Sequence, residues 1–339
     1  MRVSDFDFAL PEELIAQEPL ADRGASRMLV VDRATGQLED RVFRDLPGYL
    51  RPGDCLALND TRVFPARLLG HRAGFTGEVE ALLIRALPGD GLTWLCLVHP
   101  GRKIRTGEKL VFGERLQAEV LGRNEFGQRT IRFACLGPLW DEIERVGHVP
   151  LPPYIARVDT VADRDRYQTV FAAQRGSVAA PTAGLHFTPE ILQACQKAGA
   201  GIAHLTLHVG LGTFAPLRTD EIAEVKLHEE RFELRAEDAA RLAAARRRIA
   251  VGTTSVRTME TVMRRGGWQA MEGETDLFIS PGFEFKAVGA MVTNFHLPKS
   301  SLFVLVSALI GRELALEAYH HAIASRYRFY SYGDCMLIV

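Results

Sequence analysis

Residues 249–267, IAVGTTSVRTMETVMRRGG, put a short apolar run (Ile249–Val251) ahead of a small, hydroxyl-rich turn (Gly252-Thr253-Thr254-Ser255). A helical stretch, Val256–Arg265, follows and is closed by Gly266-Gly267. A strand that turns directly into a helix is the unit of an α/β layer. Upstream, Glu237–Arg248 has helical spacing and Ile202–Val209 reads as a strand. Side chains alternate along a strand, so Ala203, Leu205, Leu207 and Val209 share one face while His204, Thr206 and His208 share the other. Before it, Thr188-Pro189-Glu190 supplies a capping hydroxyl, a proline at the first helical position and an acid in the first turn, and Gly199 supplies a stop. The order predicts an α/β main domain with a mixed open sheet.

The first 66 residues belong with that layer. Pro11-Glu12-Glu13 suits a short helix start, Met28–Val31 and Val42–Phe43 flank a Thr35-Gly36 turn as a hairpin, and Cys55–Leu58 is a short apolar strand. Between Arg67 and Leu151 the texture changes. Glu80–Ala86, Thr93–Val98, Lys109–Phe112, Ala118–Leu121 and Arg129–Phe133 are short runs broken by Gly-containing turns, which predicts a compact barrel. Prolines mark both edges, Pro65 on one side and Pro150, Pro152 and Pro153 on the other. The expected organisation is an α/β domain of residues 1–66 plus 152–339, interrupted by an inserted all-β barrel domain at 67–151.

A chain of 339 residues with 47% hydrophobic and 24% charged residues is globular in composition and long enough for two domains. Lys plus Arg number 41 against 42 Asp plus Glu. That balance excludes a surface that grips nucleic acid everywhere and confines any RNA contact to a local patch. The five cysteines, Cys55, Cys96, Cys135, Cys195 and Cys335, show no Cys-x-x-Cys, as expected of reduced thiols, and lack the usual spacing of a zinc or iron–sulfur site. No metal is expected. The acidic start, with Asp5, Asp7, Glu12 and Glu13, is unlike a secretory signal, and Leu302–Ile310 is far shorter than the ~20 residues of a membrane span. A cytoplasmic setting is expected.

Chemistry-bearing residues gather in loops. Gly176–Thr188 carries His186 among small residues and runs into a helix start, where free N–H groups attract anions. Gly252–Thr258 lies between strand and helix, where open α/β sheets hold ligands. A helix cap there would explain one hydroxyl but not four. His208 opens a Gly210-Leu211-Gly212-Thr213-Phe214 stretch, and His228-Glu229-Glu230 sets an imidazole beside two carboxylates, an acid–base pair or a solvated charge run. Thr293–Ser300 with His296, and Ser331–Asp334, mix aromatic, amide, imidazole and carboxylate groups. Arg246-Arg247-Arg248, with Arg264 and Arg265, meets either phosphates or a helix dipole. Gly-x-Ser-x-Gly, His-Glu-x-x-His, Gly-x-Gly-x-x-Gly and the P-loop are all absent.

These loops together resemble one family. Asp5-Phe6-Asp7-Phe8, Asn59-Asp60-Thr61-Arg62-Val63, Pro152-Pro153-Tyr154-Ile155 and Arg166-Tyr167-Gln168-Thr169-Val170 fit it, in order. So do Ala179–Thr188, His208-Val209-Gly210, Gly252–Arg257, Thr293–Ser300 and Tyr332-Gly333-Asp334. The set is similar to the S-adenosylmethionine:tRNA ribosyltransferase-isomerases of queuosine biosynthesis, and it runs from residue 5 to 338. Ala215, Ser280 and Cys335 stand where the pattern has other residues, and the likeness is looser within 67–151.

The resemblance implies an α/β domain interrupted by a β barrel. It also implies transfer of the ribosyl part of S-adenosylmethionine to the aminomethyl group of a 7-deazaguanine at the tRNA wobble position. The sugar becomes an epoxycyclopentanediol, giving epoxyqueuosine, and adenine and methionine leave. S-adenosylmethionine is then a consumed cosubstrate and tRNA the partner; a monomer is expected separately, since no coiled-coil pattern or long exposed edge can be read in the sequence. Such chemistry needs a base for the 5′-carbon beside the sulfonium, a partner for the amine and a donor to departing adenine. His186, His208, His228, Glu230, His296 and Asp334 are the candidates, with His186 or His208 expected as the carbon base and Glu230 or Asp334 facing the amine. Thr182, Thr253, Thr254, Ser255, Arg257 and Asn294 are the expected cosubstrate contacts, and Arg62 and Arg67 the tRNA contacts. The rivals are an RNA methyltransferase, which would leave S-adenosylhomocysteine, and a non-catalytic RNA-binding module.

Overall fold

A computed structural model describes residues 1–339 except 126, 211–216 and 218. Its strands are β1 Arg27–Val31, β2 Leu38–Val42, β3 Asp54–Asn59, β4 Thr61–Val63, β5 Arg67–Arg72, β6 Glu78–Ala86, β7 Thr93–His99, β8 Lys109–Val111, β9 Leu116–Arg123, β10 Arg129–Cys135, β11 Gln174–Ser177, β12 Gly201–Leu207, β13 Glu230–Leu234, β14 Arg247–Val251, β15 Met271–Thr275, β16 Ala290–Asn294 and β17 Cys335–Ile338. The helices are α1 Leu139–Val146, α2 Asp163–Arg166, α3 Pro189–Lys197, α4 Ala236–Ala244, α5 Thr253–Arg264, α6 Ser301–Ile310 and α7 Arg312–Ala324.

Nine strands form one sheet in the order β15-β13-β12-β3-β14-β16-β17-β1-β2. Its centre, β12-β3-β14-β16, is parallel, and antiparallel pairings flank it on both sides. Every residue of β3 is buried, as a strand covered on both faces requires. The alternation is carried across the sheet. Cys55, Ala57, Ala250, Met291, Met336 and Leu29 pack on the face that α4, α5, α6 and α7 cover. Leu56, Leu58, Ile249, Val251, Val292 and Leu337 pack on the other, beneath α3 and the short helical turn Phe43–Tyr49. The mixed open sheet read from sequence is therefore present.

The chain leaves this sheet at Asn59, pairs β4 with β11, and enters a closed antiparallel barrel ordered β10-β7-β6-β5-β8-β9. The barrel has its own core, in which Trp140 meets both Phe64 and Trp94 edge to face. Several boundaries differ from the sequence reading: the strand expected over Ile202–Val209 is β12, Gly201–Leu207, which leaves His208 just past its end, and two helix boundaries also move. The helix expected over Glu237–Arg248 ends at Ala244, because Arg247 turns into β14 and its guanidinium grips Asp54 at 2.5 and 3.0 Å. Helix α5 begins at Thr253 rather than Val256, so the hydroxyl run forms its first turn.

A strap between barrel and sheet is tied down by Asp163, which is 2% exposed. Its carboxylate accepts both Arg157 Nη groups at 2.7 and 2.8 Å, the Thr160 N–H at 2.8 Å, and the Tyr332 hydroxyl at 2.9 Å. These donors hold the Asp163 carboxyl well below the usual carboxylate range despite its burial. Removing one member of a buried ion pair costs about 3 kcal/mol or more. Asp163→Ala is expected to lose about that much in urea unfolding at pH 7. A depressed folded pKa stabilises above the unfolded value of about 4, so this deficit should narrow only as the pH drops below that.

Candidate active site

The parallel strands β3, β12, β14 and β16 end along one edge, at Asn59, Leu207, Val251 and Asn294. Antiparallel β13 starts there with Glu230, opposite the last residue of β15, Thr275. Carboxyl edges of this kind are where open α/β sheets bind ligands. Three cavities of about 380, 360 and 340 Å³ line this edge, and Leu302 is common to all of them. Its place follows from α6. Ser300 caps that helix through the Phe303 N–H at 3.2 Å, and Phe303 is locked between the rings of Phe8 and Tyr319. The neighbouring residue, about 100° around the helix, then faces the cavities.

The first cavity is built on charge. Arg257, one turn into α5, forms an ion pair with Glu230, and each side chain is only 4% exposed. The Arg257 Nε donates to the Leu277 carbonyl at 3.0 Å and Nη2 to the Thr275 carbonyl at 3.2 Å. Glu230 Oε1 accepts the Gly210 N–H at 2.8 Å. Buried charges persist only when so paired. His228 lines the same cavity and is exposed.

The second cavity is aromatic. Tyr154 and Tyr330 face each other with ring centroids 4.1 Å apart, and the Tyr154 and Ser331 hydroxyls are bonded at 2.5 Å. His296 borders both this cavity and the third. Burial pushes its imidazole down to about 3, so it is neutral near pH 7, and Nε2 meets the Thr293 hydroxyl at 2.8 Å. Thr182 and Asn294 also border both cavities, and Gly252, Thr253 and Thr254 close the third. Gly252 sits at φ +90°, a conformation that favours glycine.

His228, Glu230, His296, Thr182, Thr253, Thr254, Arg257 and Asn294 are thus brought together. Other sequence candidates lie elsewhere. His186 is buried behind the sheet edge against Phe43, where its Nε2 accepts the Asn294 amide at 3.3 Å. Burial, with Arg23 adding, pushes it down to about 3. His208 bonds the Thr61 hydroxyl at 2.8 Å and packs on Gly176, and burial takes it down to about 4. Asp334 accepts the Arg27 and Arg328 N–H groups, both at 2.8 Å, so it ties chain to chain. Ser255 donates to the Val251 carbonyl. Arg62 is exposed on β4, and Arg67 is paired with Glu80 in the barrel. Arg247 and Arg248 begin β14, at the opposite edge of the sheet from the cavities. Gly212, Thr213, Phe214 and Ala215 lie outside the described residues. Sequence reasoning missed Tyr330 and Leu302 as lining residues, and it quoted Tyr154 without giving it a role. Clustered aromatics in the Pro152-Pro153-Tyr154 and Tyr330-Ser331-Tyr332 loops were the available signal.

Among the described residues no group of three or more His, Cys, Asp or Glu is arranged to hold a metal, and no helix is long and apolar enough to cross a membrane.

Fold and cavities define an α/β protein with cavities along its sheet edge and a closed β barrel formed by the chain between β4 and β11. The family model described as queuosine biosynthesis protein matches residues 3–338, and the chain belongs to that family. It is 60% identical to the S-adenosylmethionine:tRNA ribosyltransferase-isomerase of Solibacter usitatus and 54% identical to that of Syntrophotalea carbinolica, each over all of both chains. It is also similar to the crystal structure of the S-adenosylmethionine tRNA ribosyltransferase from Thermotoga maritima. That match has a TM-score of 0.58 and 40% identity, and covers 99% of this chain and 100% of the other.

Three histidines held neutral by burial make stability depend on acid. The unfolded chain takes up their protons near pH 6.5 while the folded one does so only near pH 3–4. Stability is therefore fully present above pH 6.5 and lost as the pH falls. Each such histidine contributes up to about 1.4 kcal/mol per pH unit. In urea unfolding between pH 6 and 5, His186→Asn should flatten the wild-type decline by about that amount.

Proposed function

We propose that this chain transfers the ribosyl part of S-adenosylmethionine to the aminomethyl group of a 7-deazaguanine at the tRNA wobble position and rearranges it to the epoxycyclopentanediol of epoxyqueuosine, releasing adenine and methionine. The observation that carries this reading is a buried Glu230–Arg257 pair lining one cavity that shares Leu302 with an aromatic cavity and a hydroxyl-lined one. Full-length kinship with enzymes of that name supports it. The barrel, 67–151, is then an insertion in a catalytic unit of 1–66 plus 152–339. tRNA is the partner, the cytoplasm the setting, and a monomer the working form.

The roles follow from reach. Glu230 borders the first cavity with its carboxylate held by the Gly210 N–H and by Arg257, so it is the carboxylate placed to meet an incoming amine while Arg257 fixes its orientation. Abstraction of the 5′-carbon proton needs a neutral base that borders the bound sugar. Of the histidines, His296 borders two of the cavities, and it takes that role in place of His186 or His208. His186 then serves by orienting Asn294. The Tyr154–Tyr330 pair offers an apolar slot for a purine.

A mass-resolved assay with S-adenosylmethionine and tRNA bearing the aminomethyl base should give free adenine, free methionine and epoxyqueuosine. Glu230→Gln should lower that turnover about 100-fold or more. S-adenosylhomocysteine as the product would mean methyl transfer instead.

A further inference from the structure

Around the third cavity several polar groups have no partner. Helix α5 is 12 residues long, and its N-cap, Gly252, has no side chain to cap it. The N–H groups of the first turn, on Thr253, Thr254 and Ser255, make no backbone hydrogen bond among the described residues. Such a terminus carries about half a positive charge. Two side-chain atoms point the same way. Thr254 Oγ1 and Asn294 Oδ1 are both buried without a hydrogen-bond partner, on residues only 6% and 2% exposed that line this cavity. The Asn294 amide cannot be turned round to relieve this, because its Nδ2 donates to the Tyr330 carbonyl at 3.0 Å and to His186 Nε2 at 3.3 Å. Leaving a buried polar atom unpaired costs about 1–3 kcal/mol. A site that retains an unpaired acceptor beside unpaired donors is complementary to a ligand carrying a negative and a positive end close together.

We infer that the third cavity is the subsite for the amino-acid tail of S-adenosylmethionine. The first turn of α5 and the Thr254 hydroxyl hold its carboxylate, and Asn294 Oδ1 holds its α-ammonium. This rests on the proposed function for the identity of the cosubstrate and adds its orientation. With the tail at α5, the nucleoside half lies across His296 in the Tyr154–Tyr330 cavity, whose Tyr330 hydroxyl is also buried without a partner. The sulfonium and its 5′-carbon then fall at the Asn294–His296 boundary that the two cavities share. The adjoining Glu230 cavity stays open to the tRNA base. A carboxylate on a helix terminus and an ammonium on an amide oxygen together distinguish an α-amino acid from a simple amine.

The test compares S-adenosylmethionine with its decarboxylated analogue, in which a propylamine tail keeps the amine and sulfonium, by calorimetric titration of the full chain. The wild-type protein should bind the decarboxylated compound at least 10-fold more weakly. Thr254→Val, isosteric and lacking the hydroxyl, should weaken S-adenosylmethionine several-fold and leave the affinity for the analogue unchanged, so that the gap between the two ligands shrinks. Equal affinity of the wild-type protein for both compounds would overturn the tail assignment while leaving the transfer reaction intact. An equal loss for both ligands in Thr254→Val would also overturn it, because a general disturbance of the site does not discriminate by carboxylate. If S-adenosylmethionine failed to bind the wild-type protein at all, the proposed function would fall, and the orientation with it.

Discussion

The ion pair between Glu230 and Arg257 is the contact on which the site depends. It joins the first residue of β13 to the second turn of α5, and Arg257 reaches on to the carbonyls of Thr275, at the end of β15, and Leu277, just past it. Three pieces of chain are thereby fixed at one edge of the sheet. Taking two charges out of water costs several kcal/mol per ion, and only full hydrogen bonding on both partners offsets it. The pair is satisfied on the Arg257 side by two carbonyls and on the Glu230 side by the Gly210 N–H. A carboxylate fixed in this way at the wall of a cavity is held in one orientation.

A second set of ties carries the rest of the chain to the same edge. Thr61, just past the end of β3, holds His208, just past the end of β12, and the ring of His208 lies over Gly176 so closely that any Cβ there would meet it at 2.8 Å. Asp163 fastens the strap from the barrel to Tyr332, next to the cavity residues Tyr330 and Ser331. The barrel therefore joins the sheet beside the candidate site rather than at a remote corner. The chain passes to the barrel after β3, one of the parallel strands whose carboxyl ends form that edge.

Much of this was legible in the sequence, for physical reasons that differ by element. The β1–β2 hairpin, α3 with its Thr188 cap, and five barrel strands announce themselves through turn residues and alternation. Strand β5, Arg67–Arg72, was missed because RLLGHR has charged ends and an internal glycine, yet barrel closure requires it. The Thr253-Thr254-Ser255 run reads as loop because hydroxyl residues compete with helical hydrogen bonding, and here Gly252 at positive φ starts the helix before them. Arg247 was assigned to a helix by the alanine-rich run ahead of it, and a buried aspartate 193 residues away draws it into a strand. Within the site, residue type told which side chains were capable of chemistry. Burial told which were within reach. His186, His208 and Asp334 have suitable chemistry but lie off the three cavities, a distinction that only three-dimensional packing makes.

The central claim is that the carboxyl edge of the parallel strands, around Leu302, is where S-adenosylmethionine binds and reacts. A crystal structure of the protein with S-adenosylmethionine bound tests it most directly. The account predicts the ligand lying across Asn294 and His296, its purine against Tyr154 and Tyr330 and its sulfonium within reach of the Glu230 cavity. A ligand found in the barrel, or at the opposite edge of the sheet near Arg247 and Asp54, would contradict it.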